Sequence, residues 1–327
     1  MRKKLIIGLS LIFLAVVGQG IALAQGESNA LMVYHFYSVF DAEDGQKAWV
    51  VGNHGTILQS TDACKSWKIQ ESGTDKDLYD VVFLDPQRGW IVGRDGLLLK
   101  TDNGGESWSR QDIQVEESLF KISFKGAFGC IAGEYGTLLC TKDSGKEWNR
   151  VSLDLDSIFY GLFFLNETDG WVVGEFGTVL HTTDAGDTWT RVNVPTGEKT
   201  LFDVYFADPN RGWMVGMDGT ILMTEDGGKT WNVIDSPVED PLFSVSVKDN
   251  KGWAVGLKGS YLVSEDGGKS WRFDKNGLRS LSWLSSVTGN ALGRVWAVGG
   301  LGGIFCSDDW GKNWMKSAAI ETKNINQ

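Results

Sequence analysis

From residue 34 onward, short runs of alternating apolar and polar residues recur, as in Leu-Tyr-Asp-Val-Val-Phe from Leu78 and Leu-Phe-Asp-Val-Tyr-Phe from Leu201. Each is followed by a form of Gly-Trp-x-Val-Gly, a two-residue turn, a form of Gly-Thr-x-Leu, a second turn and a segment that opens at tryptophan. Period-two alternation between glycine-marked turns predicts four short antiparallel strands per unit. On this pattern residues 34–40 supply the first inner strand and residues 314–319 the last outer one, so every unit is complete from contiguous sequence. Residues 28–33 remain available as an added edge strand.

The unit repeats. Seven gapless 20-residue segments align, beginning at Ala48, Gly89, Gly129, Gly170, Gly212, Gly252 and Val295, and closing at Trp67, Trp108, Trp148, Trp189, Trp231, Trp271 and Trp314. A small twisted sheet cannot bury both its faces alone, so a four-strand period of about 40 residues predicts radial stacking into a β-propeller. The expected fold is all-β, one seven-bladed propeller of four-stranded antiparallel blades over residues 34–319. Of 15 tryptophans, all but Trp283 and Trp310 fall on two fixed positions of the repeat, where they fill the wedge between blades. Cys130 stands where the other six units have the first of these tryptophans.

Each unit ends in a form of Ser/Thr-x-Asp-x-Gly-x-Ser/Thr-Trp, the Asp-box, with Asp62, Asn103, Asp143, Asp184, Asp226, Asp266 and Asp309 at its acidic position. A short carboxylate there accepts bonds from nearby amides while glycine takes the left-handed position, which makes these residues turn formers and not general acids. Cys64 at the glycine position of unit one is a departure, as is Asn103. With Gly-Trp-x-Val-Gly ahead of each box, residues 34–319 resemble the photosystem II stability and assembly factor-like family. The resemblance implies a seven-bladed propeller that works as a non-enzymatic helper in building a membrane complex, in a family that extends to exported proteins of bacteria without a photosystem. Photosynthetic members are associated with an arginine-rich surface near the propeller face. Here the matching hairpin tips carry Asn53, Arg94, Glu134, Glu175, Met217, Leu257 and Gly300, and only Arg94 keeps the cation, which favours the non-photosynthetic branch.

Composition narrows the setting. The chain opens with Arg2, Lys3 and Lys4, an apolar run and a small-x-small site at Ala22–Ala24, the order of a secretory leader cleaved before Gln25. Retention of that 20-residue run as an anchor is the alternative. Residues 1–24 are therefore read as signal peptide, 25–33 as an N-terminal segment and 320–327 as a tail, and the protein as periplasmic or secreted. Removing three leader cations deepens the net charge from −11 to −14, which argues against nucleic acid as a partner. The expected partner is a membrane or envelope protein, bound by a monomer without cofactor or metal.

The candidate surface is the rim where inner strands begin and the tips between strands two and three lie. Alignment places Tyr37, Asp80, Lys121, Tyr160, Asp203, Ser244 and Trp283 at one level near the channel, and the tips add His54, Arg94, Asp95, Tyr135, Phe176, Met217, Asp218, Leu257 and Lys258. Variable residues on a repeated frame are where function is grafted. The apolar tips Tyr135, Phe176, Met217 and Leu257 suit protein contact. Two rivals share the fold: a glycan binder stacking sugars on Trp283, Tyr37 and Tyr160, and a sialidase-like hydrolase. The hydrolase needs three arginines converging on a carboxylate, and only Arg94 and Arg279 are offered on this face. Asp80 and Asp203, two candidate hydrolytic carboxylates, stand in units two and five, too far apart for either glycosidase geometry. Gly-Gly-Lys-Thr from Gly227 lacks the earlier glycine and following helix of a phosphate loop, and His35, His54 and His181 lack metal-ligand spacing. Taking Glu134 and Tyr135 as a two-residue turn sets Cys130 opposite Leu139, with Cys140 on the other face. Units one and seven adjoin, which leaves a Cys64–Cys306 pair conceivable, but all four cysteines are expected as free, buried thiols.

Overall fold

A computed structural model describes residues 33–317. The leader of residues 1–24, most of the N-terminal segment, the possible edge strand at 28–32 and the tail from 318 lie outside the described residues. Seven four-stranded antiparallel sheets follow one another in chain order, each built from consecutive strands. Blade one runs from its inner strand Phe36–Asp41 through Ala48–Gly52 and Ile57–Ser60 to the outer strand Lys68–Gln70. Blade seven begins at Leu284–Gly289 and ends at Met315–Lys316. No strand is exchanged between the ends of the described chain, as the repeat predicts. Outer strands begin one residue after the closing tryptophan, since the indole turns inward to cover the preceding turn.

The core lies between blades. Trp49, Trp90, Trp171, Trp213, Trp253 and Trp296 are fully buried in the second strands. Each box glycine in blades two to seven sits over the second strand of the blade before it, so that a Cβ on Gly228 would meet the Trp171 ring at 2.3 Å and one on Gly268 the Trp213 ring at 2.4 Å. That contact locks successive blades together and explains the paired placement of tryptophan and glycine in the repeat.

The cysteines are not free thiols: Cys64 is bonded to Cys306 and Cys130 to Cys140. The connection after Gly133 is a three-residue loop, Glu134, Tyr135 and Gly136, closed by the Gly133 amide donating to the Thr137 carbonyl at 3.0 Å. The additional loop residue moves the register by one, so Cys130 stands opposite Cys140 and both side chains share a face. This cystine takes the space filled elsewhere by tryptophan, and the next blade's Gly186 covers it. Cys64, in the left-handed conformation at φ 75°, uses its position over blade seven to reach Cys306, the residue opposite Trp296. Blades one and seven are thus joined covalently across 242 residues of chain.

Candidate functional site

Six inner strands begin with a buried apolar residue, an aromatic and then a small or charged residue: Phe36-Tyr37-Ser38, Leu78-Tyr79-Asp80, Leu119-Phe120-Lys121, Phe159-Tyr160-Gly161, Leu201-Phe202-Asp203 and Leu242-Phe243-Ser244. The seventh reads Leu284-Ser285-Ser286. The ladder to the second strand shifts register in every blade between the first and third of these, as between Leu78 and Asp80. Such a bulge leaves the middle residue unpaired and re-aims it. Two consecutive positions per blade therefore face the channel and form two tiers, both occupied by side chains except in blade four, where the lower one is Gly161.

The upper tier is a collar of rings. Tyr37 and Tyr79 lie 5.5 Å apart, Tyr79 and Phe120 5.1 Å, Phe120 and Tyr160 5.7 Å, Tyr160 and Phe202 5.3 Å, and Phe202 and Phe243 5.3 Å. Trp283, stacked on Tyr37 at 6.1 Å, closes the gap left by Ser285. The lower tier is Ser38, Asp80, Lys121, Gly161, Asp203, Ser244 and Ser286. Tyr37 and Tyr160 thus sit one tier above Asp80, Lys121 and Asp203: the bulge falls at the same place in all blades, and the expected level matched the middle residue of blades one and four with the third residue of blades two, three, five and six. Trp283 precedes the inner strand and is also above them. Tyr79, Phe120, Phe202 and Phe243 were missed for the same reason, although anchoring the strands on their buried first residue would have aligned all six rings.

In the lower tier, Asp80 accepts the Ser38 hydroxyl at 2.6 Å, the Ile122 amide at 3.0 Å and the Lys121 ammonium at 3.4 Å. Asp203 accepts the Val204 and Val245 amides at 3.0 and 3.1 Å. Burial pushes the Asp203 pKa above the ordinary aspartate range, against the opposing pull of Lys121, the amides and Ser244. Burial also works against the Lys121 ammonium, but Asp80 and Asp203 outweigh it and hold the pKa above the usual lysine value. The collar tyrosines have raised pKa values, chiefly from burial, and stay protonated.

The tips surround this mouth. Their second residue is left-handed in every blade, as at Phe176 with φ 55° and ψ 38°, and points outward. His54, Asp95, Asp218 and Lys258 are exposed there, as are Tyr135 at 61%, Phe176 at 44% and Leu301 at 60%. Apart from Arg94, the first tip residue is more covered. Asn53 is buried and accepts the His35 amide at 2.9 Å; Glu134 and Glu175 accept the Ser118 and Ile158 amides. Met217 packs against the collar, and Leu257 is half-buried, so these two are not projecting apolar tips. Arg94 is half-exposed on the rim. Arg150 pairs with Glu117 at the edge of blade three and Arg191 donates to the Phe176 carbonyl. No arginine lines the channel among the described residues, which leaves a carboxylate clamp without its parts.

Among solved structures, YCF48 bound to D1 peptide shares the fold at 22% identity and a TM-score of 0.69, over 83% of this chain and 91% of that one. YCF48 from Cyanidioschyzon merolae does so at 17% identity and a TM-score of 0.70, over 85% and 96%. The xyloglucanase of family GH74 from Xanthomonas campestris superimposes at 14% identity and a TM-score of 0.74, over 90% of this chain and 56% of its own. No curated protein matches the chain. The family model for the photosynthesis system II assembly factor YCF48 matches residues 64–159 and 192–278, more than half of the sequence. The repeat, the seven sheets and that match agree: the chain belongs to the photosynthesis system II assembly factor YCF48 family.

Proposed function

We propose that this protein is exported and acts as a non-catalytic scaffold, holding a segment of a membrane or envelope protein against the face that carries the tips. The observation that carries this reading is the aromatic collar, which opens on that face inside a ring of seven tips, three of them, Tyr135, Phe176 and Leu301, exposed and apolar. A collar of this kind offers apolar area to an extended segment, while the tips give contact around it. The solved YCF48 bound to D1 peptide supports a peptide ligand for the family. At the first residue of the seven tips only Arg94 is cationic, which argues for a different partner in this chain. Glycan stacking fits less well, because Trp283 is buried and already stacks with Tyr37 and His35.

The test is a crosslinking capture of the tagged full chain from native envelope membranes, set against a variant with Tyr135, Phe176 and Leu301 changed to glutamate. These three are exposed and make no core contact that the substitution would remove. One dominant membrane protein captured by wild type and lost by the variant is the expected result. Equal capture by both would remove the face from the account, and turnover of a glycan by wild type would replace the scaffold with an enzyme.

A further inference from the structure

The floor of the channel is not neutral. Its seven positions hold two carboxylates, one ammonium, three serines and a glycine. Lys121 lies 3.4 Å from Asp80. Asp203 is met by amides and the Ser244 hydroxyl, and it shares the attraction of Lys121, whose ion pair is made with Asp80. With both aspartates ionised, the floor carries one more negative charge than Lys121 offsets, inside a narrow mouth walled by aromatic rings; burial already works against the Asp203 carboxylate, and a guest cation would relieve that cost. The rings act in the same direction, since their faces are negative and attract ammonium and guanidinium groups. Glu134 and Glu175 add anions around the mouth, while Lys76, Lys199 and Lys258 on the rim pair with Asp95, Asp218 and Asp240.

We infer that the channel mouth is a receptor for one basic side chain, an arginine or lysine, presented by the partner polypeptide. The guest's aliphatic stem lies against the collar, and its charged head descends between the rings to Asp203, opposite Lys121. Selectivity follows from sign and shape: an acidic or amide side chain meets the same rings but leaves the floor charge uncompensated. This rests on the docking face proposed above and names the chemistry it reads.

The experiment is calorimetric titration of the full chain with two Gly-Ser-flanked peptides, identical except for arginine or its neutral isostere citrulline at the centre. The arginine peptide should bind at least about tenfold tighter, the factor expected for one charge-assisted hydrogen bond. Asp203→Asn should abolish that preference. Lys121→Gln, which leaves the floor with two unopposed carboxylates, should strengthen arginine binding, a gain that misfolding cannot produce. Equal affinity for the two peptides, a preference that survives Asp203→Asn, or weaker binding by Lys121→Gln would each overturn the inference. So would displacement of the peptide by a neutral xyloglucan oligosaccharide. The glutamate variant of Tyr135, Phe176 and Leu301 should keep the peptide preference, because none of the three lines the channel. If that variant loses the membrane partner while Asp203→Asn retains it, the docking face stands and the basic-residue receptor fails.

Discussion

At the scale of single residues, the acidic box positions show how little chain is needed to specify a turn. Asp184 accepts the Thr182 hydroxyl at 2.8 Å, the Thr188 amide at 2.9 Å and the Thr188 hydroxyl at 2.6 Å. These bonds, the Thr188 hydroxyl first, hold its pKa down at about 2, against about 3.9 in an unfolded chain. The unfolded state therefore binds the proton first as pH falls, so the stabilisation is complete above about pH 4 and is lost as pH drops through about 2. Asp184→Ala should lower the urea midpoint at pH 5 and differ little from wild type at pH 2. Asp184→Asn should be milder at pH 5, since Asn103 already serves blade two by accepting the Thr101 hydroxyl and the Ser107 amide and donating to the Ser107 hydroxyl. Such turns were legible in the sequence because all their partners lie within four residues. Asp203 was legible as a channel residue, but its sharing of Lys121 with Asp80 was not, because that relation joins residues of three different blades.

At the scale of strands and loops, one-residue features decide what faces what. The inner-strand bulge and the three-residue tip loop each add a residue to a simple hairpin: the bulge turns two consecutive positions to the channel where alternation expects one, so that Tyr37, Tyr160 and Trp283 were expected level with the floor, and the loop sets Cys130 opposite Cys140 instead of Leu139. Nothing in the alternation of Leu78–Phe83 marks the bulge, since both of its residues face the channel and apolar residues return on schedule afterwards. The second glycine of Gly-Trp-x-Val-Gly is legible only as a turn residue, yet Gly174 is extended, and a Cβ there would stand 2.2 Å from the Ile158 carbonyl oxygen. Its role is close approach of the second strand to the start of the inner one. Gly174→Ala should cost about 1–3 kcal/mol by overpacking, read as a lower denaturant midpoint, and should loosen the Ile158 amide bond to Glu175 in hydrogen exchange.

At the scale of the whole ring, the seam between blades one and seven is closed by side chains and not by a shared strand. Asn290 and Trp296 both donate to the buried Asp41 carboxylate, Arg294 donates to the Ala63 carbonyl and Trp67 to the Ser317 hydroxyl. The Cys64–Cys306 bond lies in the same seam. Replacing the pair by the glycine and valine that blade six has at these positions, Cys64→Gly with Cys306→Val, should cost about 2–4 kcal/mol. That loss would appear as a lower denaturant midpoint than wild type without reductant, and reduced wild type should approach the variant. Seven blades and their order were legible because each is contiguous, whereas the clasp was not, because it depends on how the ring closes. Its position has a temporal meaning. Blades made of consecutive hairpins can form one after another as the chain emerges, but the native partner of Cys64 arrives only with the last blade. A chain cut short before Cys306 would keep an unmatched thiol at its open edge, so the clasp distinguishes a finished ring from an incomplete one, and a thiol-reactive oxidoreductase could tell them apart.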